Sequence, residues 1–188
     1  MKKLLYLFVV LFSYTMSSQD LLDLALVDKT KIVDKEGYKP NLKTDKWNIN
    51  NYLYELNESK LILKDSIILI ELISKTTTQN LTEWKIDELK EVYLTKKNQK
   101  ININAALESI KPKSKEQKRE LKRKIRRFNN NPHKWRGWPL SISRPIFSDD
   151  NKYSMISFKF GNNGGYSSLY KNLNEEWKLI GVFNRFAY

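Results

Sequence analysis

The chain contains no cysteine and only one histidine among its 188 residues. Without cysteine, the sequence excludes a disulfide framework, a thiolate metal site, a cysteine nucleophile and lipid attachment at a cysteine. Stability must therefore come from a hydrophobic core, and a chain of this length can bury one. The sequence also lacks the motifs of a Ser-His-Asp triad, a zinc site, a phosphate loop or a dinucleotide site. We therefore predict no metal, no cofactor and no catalytic set of residues.

The single histidine, His133, lies in a segment that also contains Lys134, Trp135 and Arg136. A histidine base beside cationic side chains would suit a small secreted phosphodiesterase or nuclease. No second acid–base partner is identifiable, so an exposed loop histidine is the simpler interpretation.

The N-terminus has the pattern of a secretory signal peptide. Met1-Lys2-Lys3 precedes an apolar run from Leu4 to Phe12, and residues up to Ser18 are mainly small and polar. The run is too short to span a bilayer as a permanent helix, although an N-terminal anchor is the alternative. We predict cleavage after Ser18 and a periplasmic or extracellular location. Residues 19–46 are predicted to be a poorly ordered segment, and residues 47–188 a single α+β domain.

The net charge of +13 is concentrated in one segment of the chain. Between Lys111 and Arg136 there are 12 basic and 2 acidic residues, whereas the rest of the mature chain has 20 basic and 19 acidic residues. The basic excess therefore belongs to a local feature rather than to the whole surface.

A basic helix is predicted from Lys115 to Phe128. Ser114 and Gln117 have the spacing of a capping box, and no glycine or proline interrupts the segment. Leu121, Ile125 and Phe128 form one narrow apolar stripe, which leaves the other faces cationic. The predicted anion-binding residues are Lys115, Lys118, Arg119, Lys122, Arg123, Arg126, Arg127, Lys134 and Arg136.

This helix predicts contact with an anionic envelope component or an acidic protein. Export makes nucleic acid an unfavourable choice of partner. A solvated helix face with no partner is the alternative interpretation, since charge runs commonly serve only to solvate.

The segment from Leu140 to Tyr188 is predicted to be a four-strand meander. Ile156, Phe158 and Phe160 alternate with polar residues, and turn-forming clusters rich in Asp, Asn and Gly flank this strand. Pro145 should place the first strand at an edge or break it. Apolar residues on both faces of the last strand predict a central position for it, with Trp177 buried.

The middle of the chain carries weaker signals. Ile49 to Glu58 is predicted to be a helix, and Ser66 to Ile73 a buried strand. Trp84 to Leu89 reads as one helical turn, while Val92 to Thr95 and Lys100 to Ile103 read as two strands. The predicted fold is α+β, with an antiparallel sheet of six or seven strands and two or three helices, one of them strongly basic.

The C-terminal quarter resembles that of a group of small, uncharacterised exported bacterial proteins. Their pattern is a Ser-x-x-x-Phe strand, a polar turn, a strand, a glycine-rich turn, a strand and a Trp-Lys hairpin. The matching positions are Ser143, Phe147, Gly164, Gly165, Trp177 and Lys178. The hairpin glycine of that pattern is replaced here by Glu175-Glu176. The resemblance implies a compact α+β protein outside the cytoplasm and carries over no catalytic residue.

Three functions follow from these patterns. The first is a non-enzymatic, exported binding or envelope-associated protein that uses the basic helix. The second is the secreted phosphodiesterase or nuclease around His133. The third is a small-ligand domain with a pocket under the curved sheet.

Overall fold

The computed structural model describes residues 18–57, 64–131 and 137–187, so residues 1–17 of the predicted signal peptide lie outside the described residues. Within the described ranges there are five helices and seven strands. In chain order they are α1 (residues 18–26), β1 (Ile32–Asp34), α2 (Lys46–Asn57), α3 (Lys64–Thr78), β2 (Tyr93–Thr95), α4 (Ile103–Ile110), α5 (Lys115–Asn130), β3 (Leu140–Ile142), β4 (Ile146–Phe147), β5 (Tyr153–Phe160), β6 (Gly165–Leu173) and β7 (Glu176–Phe186).

All seven strands form one mixed sheet with the order β2-β1-β3-β5-β6-β7, and β4 also pairs with β5. β1 runs parallel to β2 and β3, whereas the other neighbours are antiparallel. The α+β class and the number of strands are confirmed, but the prediction of a purely antiparallel sheet is wrong. Parallel neighbours need long crossovers, and α2–α3 and α4–α5 are the elements between those strands in the chain. The number of helices is accordingly larger than predicted.

One side of the sheet, called here the α1 side, is covered by α1 and by the loop before β2. Leu21, Leu22 and Leu26 of α1 pack in one buried cluster with residues of β1, β3 and β5, and Trp84 of the loop joins them. This cluster uses the same strand positions, Ile156 and Phe158 among them, that the alternation in the sequence assigned to one face.

The other side, called here the four-helix side, is covered by two separate helix pairs. α2 and α3 pack on Met155, Leu169 and Phe183 of the C-terminal strands. α4 and α5 pack on Ile32 of β1 and on Tyr93 of β2. Because side chains alternate along each strand and the register is continuous across the sheet, both pairs lie on the same side of it.

The predicted strand from Ser66 to Ile73 is wrong, because this segment belongs to helix α3. Leu69, Leu72 and Ile73 are fully buried, with the spacing of one helix face. The run of four consecutive apolar residues hid the helical spacing in the sequence, because two of them, Ile67 and Ile70, lie on the outer face of the helix rather than in a buried sheet.

The predicted strand from Lys100 to Ile103 is also wrong. Asn102 caps α4 instead, and its side-chain oxygen accepts hydrogen bonds from the backbone N–H groups of Asn104 and Ala105. This cap starts the helix at Ile103, so the apolar residues there pack as one helix face against α5, β1 and β2 instead of forming a strand. Trp84 to Leu89 forms turns rather than a helical turn of α type, whereas the predicted strand at Val92 to Thr95 is present as β2.

The segment 19–46 was predicted to be poorly ordered, but it carries most of α1 and all of β1. Ile32 and Val33 are fully buried, and β1 lies between β2 and β3 in the sheet. The leucines of α1 cover apolar strand residues that would otherwise meet water, which gives the segment a physical reason to fold.

The C-terminal meander is present, with its first strand broken into β3 and β4 around Pro145. Gly164 has a φ of +119°, and a Cβ there would lie 2.1 Å from the carbonyl oxygen of Phe186, so only glycine fits this turn. Trp177 is buried, as predicted. The predicted central position of the last strand is wrong, because β7 is the end of the described sheet. A register shift in β7 turns Trp177 and Phe183 toward opposite sides, which explains apolar residues on both faces.

Candidate anion-binding surface

Helix α5 starts and ends where its sequence supplies partners for the free backbone groups. The Ser114 hydroxyl accepts a hydrogen bond from the N–H of Gln117 at 3.1 Å, and the Gln117 side chain accepts one from the N–H of Lys113 at 2.9 Å. The second bond lies one residue before the predicted capping-box position. Glu116 in the first turn and Arg127 in the last turn complement the helix dipole.

Three contacts fix α5 on the four-helix side. Ile125 and Phe128 are buried, and the ring of Phe128 lies 6.1 Å from that of Trp138. The Asn129 side chain accepts a hydrogen bond from the N–H of Ile101 and donates one to its carbonyl, each at 2.8 Å. This two-point contact determines which side of the helix faces outward.

The outward side of α5 carries seven of the nine predicted anion-binding residues. We call this set the cationic face of α5, and it consists of Lys115, Lys118, Arg119, Lys122, Arg123, Arg126 and Arg127. Six are exposed, and Lys122 is half-buried. Arg119, Arg123 and Arg126 follow one another at three- and four-residue spacing, so their side chains are neighbours.

No residue of the cationic face forms a salt bridge among the described residues, although the positive charge of Arg123 also lowers the pKa of Glu120. The one salt bridge of α5 within these residues joins Lys124 to Glu120 at 2.6 Å, and this contact lowers the pKa of Glu120. Glu83, which would be a candidate internal partner, instead pairs with Lys35 at 2.7 Å. The charge of the face is therefore directed to solvent in this part of the structure.

The remaining predicted residues cannot be placed in this surface. Lys134 and Arg136 lie outside the described residues, and so does His133, on which the phosphodiesterase hypothesis depends. Asp149 and Asp150 belong to the turn-forming cluster predicted before β5, and Asp150 accepts a hydrogen bond there from Ser148 at 2.7 Å. No group of three or more potential metal-ligating side chains occurs in the ranges that the structure describes.

Sequence reasoning missed a polar cleft on the four-helix side, at the end of β1. Asp34 is 6% exposed and accepts hydrogen bonds from the Ser141 hydroxyl and from the N–H of Glu36, both at 3.2 Å. Burial raises the pKa of Asp34 above its ordinary value. Lys97 and Lys159 line the same cleft, which has a volume of about 140 Å³. The sequence signal that could have indicated this cleft is an acidic residue, Asp34, directly after the two apolar residues Ile32 and Val33.

The chain matches no protein-family model, no curated protein and no solved structure. None of the described helices combines the length and the apolar composition needed to cross a membrane.

Proposed function

We propose that the protein is an exported, non-enzymatic binding protein that associates with an anionic component of the cell envelope through the cationic face of α5. The observation that carries this proposal is a helix anchored by Ile125, Phe128 and Asn129 whose seven outward cations form no salt bridge among the described residues.

Electrostatics supports this function. Like charges three or four residues apart destabilise a helix by about 0.2–0.5 kcal/mol per pair, and the cationic face contains several such pairs. An anionic partner relieves this repulsion when it binds. Four of the seven residues are arginines, whose planar guanidinium groups bind phosphate, sulfate or carboxylate oxygens in pairs.

A charge-matched comparison on a soluble polyanion tests the proposal. The variant K118Q/K122Q/R126Q/R127Q removes four charges from the face, whereas K43Q/K46Q/K85Q/K100Q removes four exposed charges elsewhere. We expect wild-type binding to heparin to weaken steeply with salt, because cation–sulfate contacts release counterions. The first variant should lose most of this affinity and the control variant little of it.

Equal losses in the two variants would mean that binding follows net charge and that α5 is not a site. Unchanged binding in the first variant would place the anion site elsewhere on the molecule.

Export is tested separately by intact-mass measurement of protein recovered from the expressing cell. We expect the loss of about 18 residues from the N-terminus. Recovery of the full-length chain in the membrane pellet would instead indicate an uncleaved anchor.

A further inference from the structure

Helices α2 and α3 expose large apolar side chains on the faces that point away from the sheet. The exposed fractions are 71% for Trp47, 76% for Tyr54, 71% for Ile67 and 39% for Ile70. We call these four residues the apolar face of α2–α3. Both helices bury other apolar residues on their inner faces, so these four do not contribute to the hydrophobic core.

Few charges lie among these four apolar residues. Helical spacing groups Asn50 with Trp47 and Tyr54, and it groups Ser74 with Ile67 and Ile70. The charged residues at the same spacing include Lys46, which is exposed, and Glu71, which pairs with Lys75 at 2.6 Å. Scattered exposed apolar residues are ordinary, but four large ones on two adjacent helices are typical of an interaction surface.

The apolar face and the cationic face of α5 lie on the same side of the sheet. α2–α3 and α4–α5 both pack on the four-helix side, and both faces are on the outer surfaces of those helices. That side of the sheet therefore carries aromatic and aliphatic side chains over its β7 end and a row of cations over its β2 end.

This combination fits the surface of an anionic bilayer. Tryptophan and tyrosine favour the headgroup region, where an apolar ring and a polar atom are both satisfied. Aliphatic side chains enter the acyl boundary, while lysine and arginine contact anionic headgroups. A second copy of the chain is a poorer occupant, because its own cationic side would be repelled.

We propose that the four-helix side docks onto membranes that contain anionic phospholipid, with Trp47, Tyr54 and Ile67 entering the interface and the cationic face of α5 contacting the headgroups. This proposal rests on the proposed function, because it takes the anion bound by α5 to be a lipid headgroup.

The experiment is vesicle binding by the purified mature protein. Phosphatidylcholine vesicles with and without phosphatidylglycerol are compared, and heparin is the soluble anion. The test variant is W47S/Y54S/I67S. The matched control is L81S/I86S/L179S, which changes two exposed apolar residues in the loop before β2 and one in β7 that lies opposite Tyr170 of the cluster on the α1 side.

We expect wild-type protein to bind only the anionic vesicles. The test variant should bind them at least about tenfold more weakly, because apolar area no longer leaves water on docking. Its binding to heparin should be unchanged, and the control variant should behave as wild type in both assays. Brominated acyl chains should quench tryptophan emission in wild type but not in W47F.

Each alternative outcome separates the two proposals. Heparin binding without vesicle binding overturns membrane docking and leaves the proposed function intact. Vesicle binding that is equal in the test variant and wild type also overturns it. Failure of the wild-type protein to bind heparin would overturn the proposed function itself. A concentration-dependent dimer that W47S/Y54S/I67S abolishes would assign the apolar face to self-association instead.

Discussion

Arg144 and the arginines of α5 show two different uses of the same side chain. The two terminal nitrogens of Arg144 contact the Glu88 carboxylate at 2.6 and 2.9 Å, and its guanidinium lies 3.9 Å from the ring centroid of Trp84. One nitrogen also donates to the carbonyl of Glu83 at 2.9 Å. On the outer surface of α5, Arg119, Arg123 and Arg126 have no such partners among the described residues.

The difference shows that this chain does neutralise an arginine where the fold depends on it. Arg144 is held between Glu88 and Trp84, and it ties the loop before β2 to the end of β3. The cations of α5 are therefore not explained by a general shortage of acids. None of them forms a salt bridge among the described residues, so their charge is available to an external anion.

The largest effect is expected at the ring beneath Arg144. Trp84 is fully buried, and its indole N–H donates to the carbonyl of Ile142 at 3.2 Å. Trp84→Ala should lower the free energy of unfolding by about 3–5 kcal/mol, measured by urea denaturation. The control Trp47→Ala removes an exposed ring and should change it by no more than about 0.5 kcal/mol. Equal effects would refute the packing of the loop on the α1 side.

The next effect is expected on removing the partner of Arg144. Glu88→Ala should lower the free energy of unfolding by about 1.5–3 kcal/mol, since it breaks charge-assisted hydrogen bonds to a largely buried guanidinium. Glu176→Ala is the control, because that carboxylate lies 4.0 Å from Lys178 at an exposed site and such pairs contribute little. A Glu88 variant as stable as the control would mean that Trp84 and the carbonyl of Glu83 suffice to hold Arg144.

The same pair predicts a dependence of stability on pH. Hydrogen bonding to Arg144 lowers the pKa of Glu88 below its ordinary value of 4.5. A lowered carboxyl pKa contributes stability above pH 4.5 that is lost as the pH falls through the folded-state pKa. Urea midpoints of wild type and Glu88→Gln should therefore converge as the pH is lowered from neutrality into this range. Parallel curves at all pH values would show that Glu88 titrates as it does in the unfolded chain.

The smallest effect on stability is expected on the outer surface of α5. The variant K118Q/K122Q/R126Q/R127Q should shift the free energy of unfolding by no more than about 0.5 kcal/mol per site, because these side chains have no described ion pair to lose. Added salt should narrow any difference, since it screens repulsion between like charges. A collapse in thermal stability would indicate that these cations have internal partners.

Helix α5 was predictable because its signals are local. Ser114 supplies the cap, no residue breaks the helix, and Ile125 and Phe128 mark the buried stripe. The C-terminal strands were predictable for a related reason, since short turns fix the pairing of consecutive strands. Gly164 is one such signal, because its turn excludes every side chain.

The rest of the fold could not be predicted, because it depends on contacts between residues that are far apart in the chain. β1 has only three residues and pairs with strands about 60 and 107 positions away, so no turn signals its place. Helix α3 was mistaken for a strand because Ile67 and Ile70 add apolar residues on its outward face. Apolar residues on the exposed face of a helix obscure the 3.6-residue spacing by which an amphipathic helix is recognised in a sequence. The Asp34 cleft was missed because it forms where β1 lies beside β3, and no local signal in the sequence predicts that pairing.

The position of β7 at the end of the described sheet has a consequence for self-association. A long edge strand offers free backbone groups to any other extended chain, which promotes aggregation. Here the Glu55 carboxylate of α2 accepts a hydrogen bond from the backbone N–H of Arg185 at 3.1 Å. The register shift bends the same strand, and its charged side chains include Lys178. An incoming strand would have to displace this carboxylate to pair with the backbone at Arg185, so α2 protects that position of the β7 edge.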